Sequence, residues 1–113
     1  MPSKKPLSYL RDIRDSILLI EEFVRGMNLD TYCSDTRTQA AVERKLLVIS
    51  EAAVRLGGDA EILSPGVPWR DIRGIGNWLR HQYDRVKPEI VWITITDDLP
   101  SLKAAVEIAL KSD

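Results

Sequence analysis

The sequence predicts an all-α protein, an antiparallel bundle of four or five helices that associates as a homodimer. Two observations predict the helices. Apolar residues recur at steps of three and four through most of the 113 residues, and the breaks in that rhythm fall at glycines, prolines and capping side chains. A third excludes a sheet: the one run rich in β-branched residues, IVWITIT at 90–96, has no second run to pair with. By length the chain is a single domain, 1–113, long enough to bury one core and too short to add a separate module.

The elements follow in order. Leu10, Ile13, Ile17, Ile20, Val24 and Met27 put one stripe on a first helix. NLDTYCSD then reads as a loop in which Ser34 or Asp35 caps the next helix. Val42, Leu46, Ile49, Ala53 and Leu56 carry that second helix until Gly57 and Gly58 stop it. DAEILSPGVP is a short helical turn and a loop, since Pro65, Gly66 and Pro68 cannot continue a helix. Trp69, Ile72, Gly76, Leu79 and Tyr83 form the stripe of a third helix, with Gly76 placed where another helix can approach closely. Trp92, Ile95, Leu99, Leu102, Val106 and Ala109 step by three and four across Pro100, so the last segment reads as helical from Pro88, with a second helix or a kink at Pro100.

Composition narrows the function by exclusion. A net charge of −1 with 44% hydrophobic and 29% charged residues is an ordinary soluble balance, which argues against disorder and against a protein that coats nucleic acid. Cys33 has no second cysteine to pair with, which fits a reducing cytoplasm. Charges at Arg11, Asp12, Arg14 and Asp15 interrupt the N-terminal region before a signal-peptide core can form, and no run approaches the roughly 20 apolar residues that span a bilayer. No nucleophile triad, glycine-rich phosphate loop or metal-ligand cluster is present, so neither a metal nor another cofactor is expected.

The chemistry gathers on the third helix. At about 100° per residue, Arg73, Asn77, Arg80, His81 and Asp84 share one flank, away from the Trp69, Ile72 and Leu79 stripe. From Trp69 to Pro88 the bases Arg70, Arg73, Arg80, Arg85 and Lys87 outnumber the acids Asp71 and Asp84, so this segment carries +5 − 2 = +3 against −4 for the rest of the chain. Arginine forks match phosphate oxygens and a histidine titrates near neutrality, so the patch suits a phosphate-bearing partner such as RNA. A flank of mixed charge is by itself no more than solvated surface.

PWRDIRGIGNWLRHQYDRV at 68–86, followed by PEIVWITITDDLPSLK, resembles the C-terminal half of the HepT-like branch of the HEPN superfamily. These are small all-α prokaryotic toxins paired with nucleotidyltransferase antitoxins of the MNT type. The similarity reaches back through AAVERKLLVISEA to YLRDIRDSI, specific at 68–102 and generic before it. The resemblance implies a homodimer in which two copies of an Arg-(four to six residues)-His motif line a shared cleft and cut RNA without a metal.

Asn77, His81 and Tyr83 match the family's N...HxY element, which makes His81 and Asn77 the implied catalytic residues. The position just before the asparagine, where many members carry the motif arginine, is Gly76. Arg73 and Arg80 flank the same face as substitute cations, and Arg85 extends the RNA-binding surface, but neither Arg73 nor Arg80 has the family's spacing to His81. Tyr83 fills the place of the tyrosine to which the antitoxin transfers AMP, although on a continuous helix it falls on the apolar stripe. Two further readings stay open. One is a dimeric HEPN subunit that binds the nucleotidyltransferase, with or without RNA, and cuts nothing. The other is a plain helical adaptor.

Overall fold

A computed structural model of the chain describes residues 5–81, 84 and 86–111. Its elements are α1 (Pro6–Phe23), α2 (Leu29–Cys33), α3 (Thr36–Leu56), α4 (Gly58–Leu63), α5 (Trp69–His81), α6 (Pro88–Ile93), a π-helical turn (Thr94–Asp98) and α7 (Leu99–Lys111). No strand occurs among the described residues, so the fold class is all-α. The β-branched run at 90–96 lies in the helix that starts at Pro88, where proline's fixed φ and missing N–H cost nothing.

α1 and α3 pack along each other through Leu10, Ile13, Ile17 and Ile20 on one side and Val42, Leu46, Ile49 and Ala53 on the other, all essentially excluded from solvent. α5 also packs on α3, and α7 packs on α1 and buries Leu102 and Val106. The buried apolar side chains form one cluster. The third-helix stripe is present as read at Trp69, Ile72, Gly76 and Leu79, all buried, while its last member, Tyr83, lies outside the described residues.

Two local features differ from the sequence expectation. NLDTYCSD contains a helix: Asn28 and Thr31 form a reciprocal capping box that starts α2, and Tyr32 is driven into the core, its ring 5.2 Å from that of Trp92. Asp35 then caps α3 through the Thr38 amide at 2.9 Å. The second feature is the π turn before Pro100. Proline has no N–H to give the carbonyl of residue 96, and widening the turn accommodates the break without ending the helix. The extra residue in the turn shifts the buried stripe: Val91, Ile95 and Leu99 follow each other at steps of four, so Val91 is fully buried and Trp92 is half-buried.

The Tyr32 hydroxyl is buried without a hydrogen-bond partner among the described residues, and burial, followed by the nearby Glu43 and Cys33, pushes the phenol above its ordinary pKa. Because the folded-state value lies above the unfolded value of about 10, Tyr32 favours the fold fully below that pH and its contribution declines as pH rises above it. Tyr32→Phe is therefore expected to leave stability unchanged or raise it by up to about 1 kcal/mol, and to flatten the alkaline limb of stability against pH. Urea unfolding at neutral and alkaline pH checks this. A loss above about 1 kcal/mol at neutral pH would show that the hydroxyl has a partner.

Candidate functional site

The seat of α5 on α3 is a contact between two small residues. Ser50, buried in α3, donates its hydroxyl to the Arg73 carbonyl at 2.8 Å and accepts from the Gly76 N–H at 2.9 Å. A Cβ on residue 76 would stand 2.8 Å from Ser50 Oγ and 3.3 Å from Ser50 Cβ, so any side chain there would displace the Ser50 hydroxyl from its two hydrogen bonds or push the helices apart. Glycine at this place is a packing requirement, and a longer side chain at 76 is incompatible with this seat.

Arg73 does not lie free on the solvated flank. Its guanidinium meets Glu61 on both carboxylate oxygens, at 2.9 and 2.6 Å, and donates to the carbonyls of Gly57 at 2.8 Å and Ala53 at 3.3 Å. The Ala53 carbonyl is among the last of α3, which have no intrahelical donor of their own, and the Gly57 carbonyl, at the α3–α4 junction, also accepts from the Ala60 N–H at 3.1 Å. Gly57 ends α3 with φ near +54°, a conformation glycine takes without strain. Arg73 thus ties the end of α3, α4 and the first half of α5 together. The Arg73 hydrogen bonds hold the Glu61 carboxyl below its usual range, and Glu61 in turn raises the pKa of the guanidinium.

Asn77, Arg80 and His81 are exposed in the second half of α5, with Asn77 and His81 one turn apart on the same edge. Arg80 and His81 sit in the last described turn of α5, where a helix end favours positive charge. Lys87 and Asp84 are exposed beyond them, and the expectations for Tyr83 and Arg85 lie outside the described residues. Across the α3 border, the Arg55 side chain hydrogen-bonds Glu51 and holds its carboxyl below the usual range, with lesser contributions from the fields of Arg80 and Arg44. Among the described residues no group of three or more His, Cys, Asp and Glu side chains is placed to hold a metal ion.

A family model described as "Ribonuclease HepT-like" matches residues 13–109. The chain belongs to the HepT-like ribonuclease family of the HEPN superfamily. It is 39% identical over 99 residues to "Probable ribonuclease HepT" of Thermococcus cleftensis, covering 88% of this chain and 90% of that one. It is 32% identical over 111 residues to a candidate RNase of Methanocaldococcus jannaschii, covering 98% and 92%. A candidate RNase of Caldanaerobacter subterraneus is 30% identical over 110 residues, covering 97% and 98%. No solved structure matches the chain significantly.

Within this HepT-like chain, three features were not singled out from the sequence. Ser50 had a signal: it is a hydroxyl beside Ile49 on an otherwise apolar stripe, and a polar residue there needs a partner across a helix contact. Glu61 had none, because its partner is 12 residues away. The third is an apolar groove of about 810 Å³ on the other flank of α5, between Ile72, Ile75 and Trp78 and the helix that runs from Ile90 to Ile108, with Asp71, Asp97 and Asp98 among its polar lining. No helix among the described residues is long and apolar enough to cross a membrane.

Arg73→Ala is expected to lower the thermal midpoint by roughly 5–10 °C, since it leaves the Ala53 carbonyl and Glu61 without their donor and removes the tie to the Gly57 carbonyl. Arg73→Lys should recover little, because an ammonium cannot reproduce the fork. Circular dichroism melts check this, and an unchanged midpoint would contradict a structural role.

Proposed function

We propose that this HepT-like protein is the toxin of a prokaryotic toxin–antitoxin pair, a metal-independent endoribonuclease that acts as a homodimer and is silenced by AMP transfer. The observation that carries the reading is the exposed edge of α5: Asn77, Arg80 and His81 stand together on a basic segment of a chain that belongs to a ribonuclease family. His81 is the chain's single histidine, whereas transfer of a phosphate within RNA needs both a base and an acid. Two copies supply both. One imidazole takes the 2′-hydroxyl proton as the 2′-oxygen bonds to phosphorus, and the other gives a proton to the 5′-oxygen as its bond to phosphorus breaks. The products are a 2′,3′-cyclic phosphate and a 5′-hydroxyl. The groove beside Trp78, on the other flank of α5, supports association of copies, since half-buried apolar side chains line it and Ile90 and Ile108 remain exposed.

The partner in this reading is an MNT-type nucleotidyltransferase antitoxin that places AMP on Tyr83, two residues after His81. The added phosphodiester puts bulk and negative charge beside the imidazole and opposes RNA. Gly76 favours the second reading, a dimeric HEPN subunit that binds the nucleotidyltransferase without cutting, because the motif position holds no cation of its own.

Cleavage assays separate the two. His81→Ala should abolish cleavage and EDTA should leave it intact, in a preparation whose light-scattering mass is that of a dimer. Activity retained by the alanine variant, or lost to the chelator, contradicts the mechanism, and a wild-type chain that binds the antitoxin yet leaves RNA whole supports the second reading.

Incubation with the nucleotidyltransferase, ATP and magnesium should place the first AMP on Tyr83. Tyr9, half-buried in α1, and Tyr32, buried in α2, serve as internal controls. Peptide mass spectrometry locating AMP elsewhere, or a Tyr83→Phe variant that is still silenced, would mean the antitoxin acts by another route.

A further inference from the structure

Arg80 differs from its neighbours Arg55 and Arg73. Arg55 and Arg73 are held in ion pairs with Glu51 and Glu61, while among the described residues no hydrogen bond or ion pair includes the Arg80 guanidinium. The field of Arg80 reaches Glu51, whose Oε1 takes two hydrogen bonds from Arg55, at 2.9 and 3.3 Å. The Arg80 side chain folds back along the helix by one turn. Its Nη1 lies 3.2 Å from the point where a side chain on residue 76 would begin. The space left by the missing side chain at 76 is thus bordered by Ser50 on one side and by the Arg80 guanidinium on the other.

We propose that Gly76 and Arg80 act as a transposed pair, Arg80 being the catalytic cation and Gly76 the positioning residue that leaves open the berth for its guanidinium. The proposal rests on the ribonuclease reading above and names its missing cation. Arg73 is unavailable, since its fork is spent on Glu61 and the end of α3. Arg80 neighbours His81 in sequence, is exposed, and borders the same edge as Asn77. When the 2′-oxygen bonds to phosphorus and the 5′-oxygen leaves, negative charge grows on the non-bridging oxygens. A guanidinium stabilises that charge through its N–H groups and transfers no proton, so the two imidazoles keep the proton bookkeeping unchanged. The missing Cβ at 76 leaves room for the fork to lie back along α5, beside the edge that carries Asn77 and His81.

The test is single-turnover cleavage of a fluorescent single-stranded RNA of mixed sequence, with binding followed by anisotropy and His81→Ala as the reference for background. Arg80→Ala should cut about 10²–10³ times more slowly, the loss typical of removing one preorganised donor, while RNA affinity falls by less than about tenfold. Guanidinium chloride at tens of millimolar should restore the Arg80→Ala rate at least about tenfold, and potassium chloride at equal ionic strength should not. Arg80→Lys should stay slow. Gly76 is tested in a Ser50→Ala background, which removes the 2.8 Å obstacle and leaves the 3.3 Å contact. There, Gly76→Ala should slow cleavage about tenfold or more relative to Ser50→Ala alone, with circular dichroism unchanged, because the methyl intrudes on the berth.

Cleavage by Arg80→Ala within about threefold of wild type, still dependent on His81, overturns the transposed pair and leaves the ribonuclease reading standing. Equal losses of cleavage and binding without rescue also overturn it, making Arg80 a general RNA contact. An unchanged rate in the Gly76→Ala, Ser50→Ala double variant removes the positioning role. No His81-dependent cleavage by wild type sinks the ribonuclease reading and the pair with it.

Discussion

The close approach of α5 to α3 at Ser50 and Gly76 is the constraint on which the rest of the site depends. Helix packing at ordinary distance leaves room for side chains on both surfaces. Here a serine hydroxyl spans the gap and satisfies both an Arg73 carbonyl and the Gly76 N–H. Two small residues therefore set the rotation of α5 about its own axis. With that rotation fixed, Trp69, Ile72 and Leu79 are buried, Arg73 points at the end of α3, and Asn77 and His81 have no option but solvent. A rotation of one residue, about 100°, would bury charge and expose the tryptophan.

The same constraint explains the departure from the family pattern. An arginine at 76 and the Ser50 seat cannot coexist, because the Cβ alone would meet Ser50 Oγ at 2.8 Å. The chain keeps the seat. Electrostatics then decide which cation is left for chemistry. Arg55 and Arg73 are hydrogen-bonded to Glu51 and Glu61, while among the described residues no hydrogen bond or ion pair includes the Arg80 guanidinium. A charge without a partner among the described residues, beside an exposed histidine, suits the binding of an anion and costs stability only modestly in so solvated a place.

Much of the fold was legible because burial imposes periodicity. The stripes of α3, of α1 from Leu10 to Ile20 and of α5 from Trp69 to Leu79 are residues the steps of three and four marked, whereas Val24 and Met27 lie beyond the end of α1 at Phe23; the proline at 88 outweighed the β-branched run after it, since a strand without a partner leaves its backbone unpaired. What was not legible came from geometry at finer grain. The capping box at Asn28 and Thr31 turned a loop into α2, and the π turn before Pro100 moved the stripe from Trp92 to Val91. At the site, the shared edge of Asn77, Arg80 and His81 was legible from spacing. The fate of Arg73 was not, because its partners come from α3 and α4 and a helical wheel contains only α5.

The central claim is that the exposed edge of α5 handles RNA through its 2′-hydroxyl. The most direct measurement is cleavage of a DNA strand carrying one ribonucleotide, with the new ends identified by mass spectrometry. The account predicts a single His81-dependent cut immediately 3′ of the ribonucleotide, leaving a 2′,3′-cyclic phosphate and a 5′-hydroxyl. A 3′-hydroxyl with a 5′-phosphate, or equal cutting of the all-DNA strand, would contradict it.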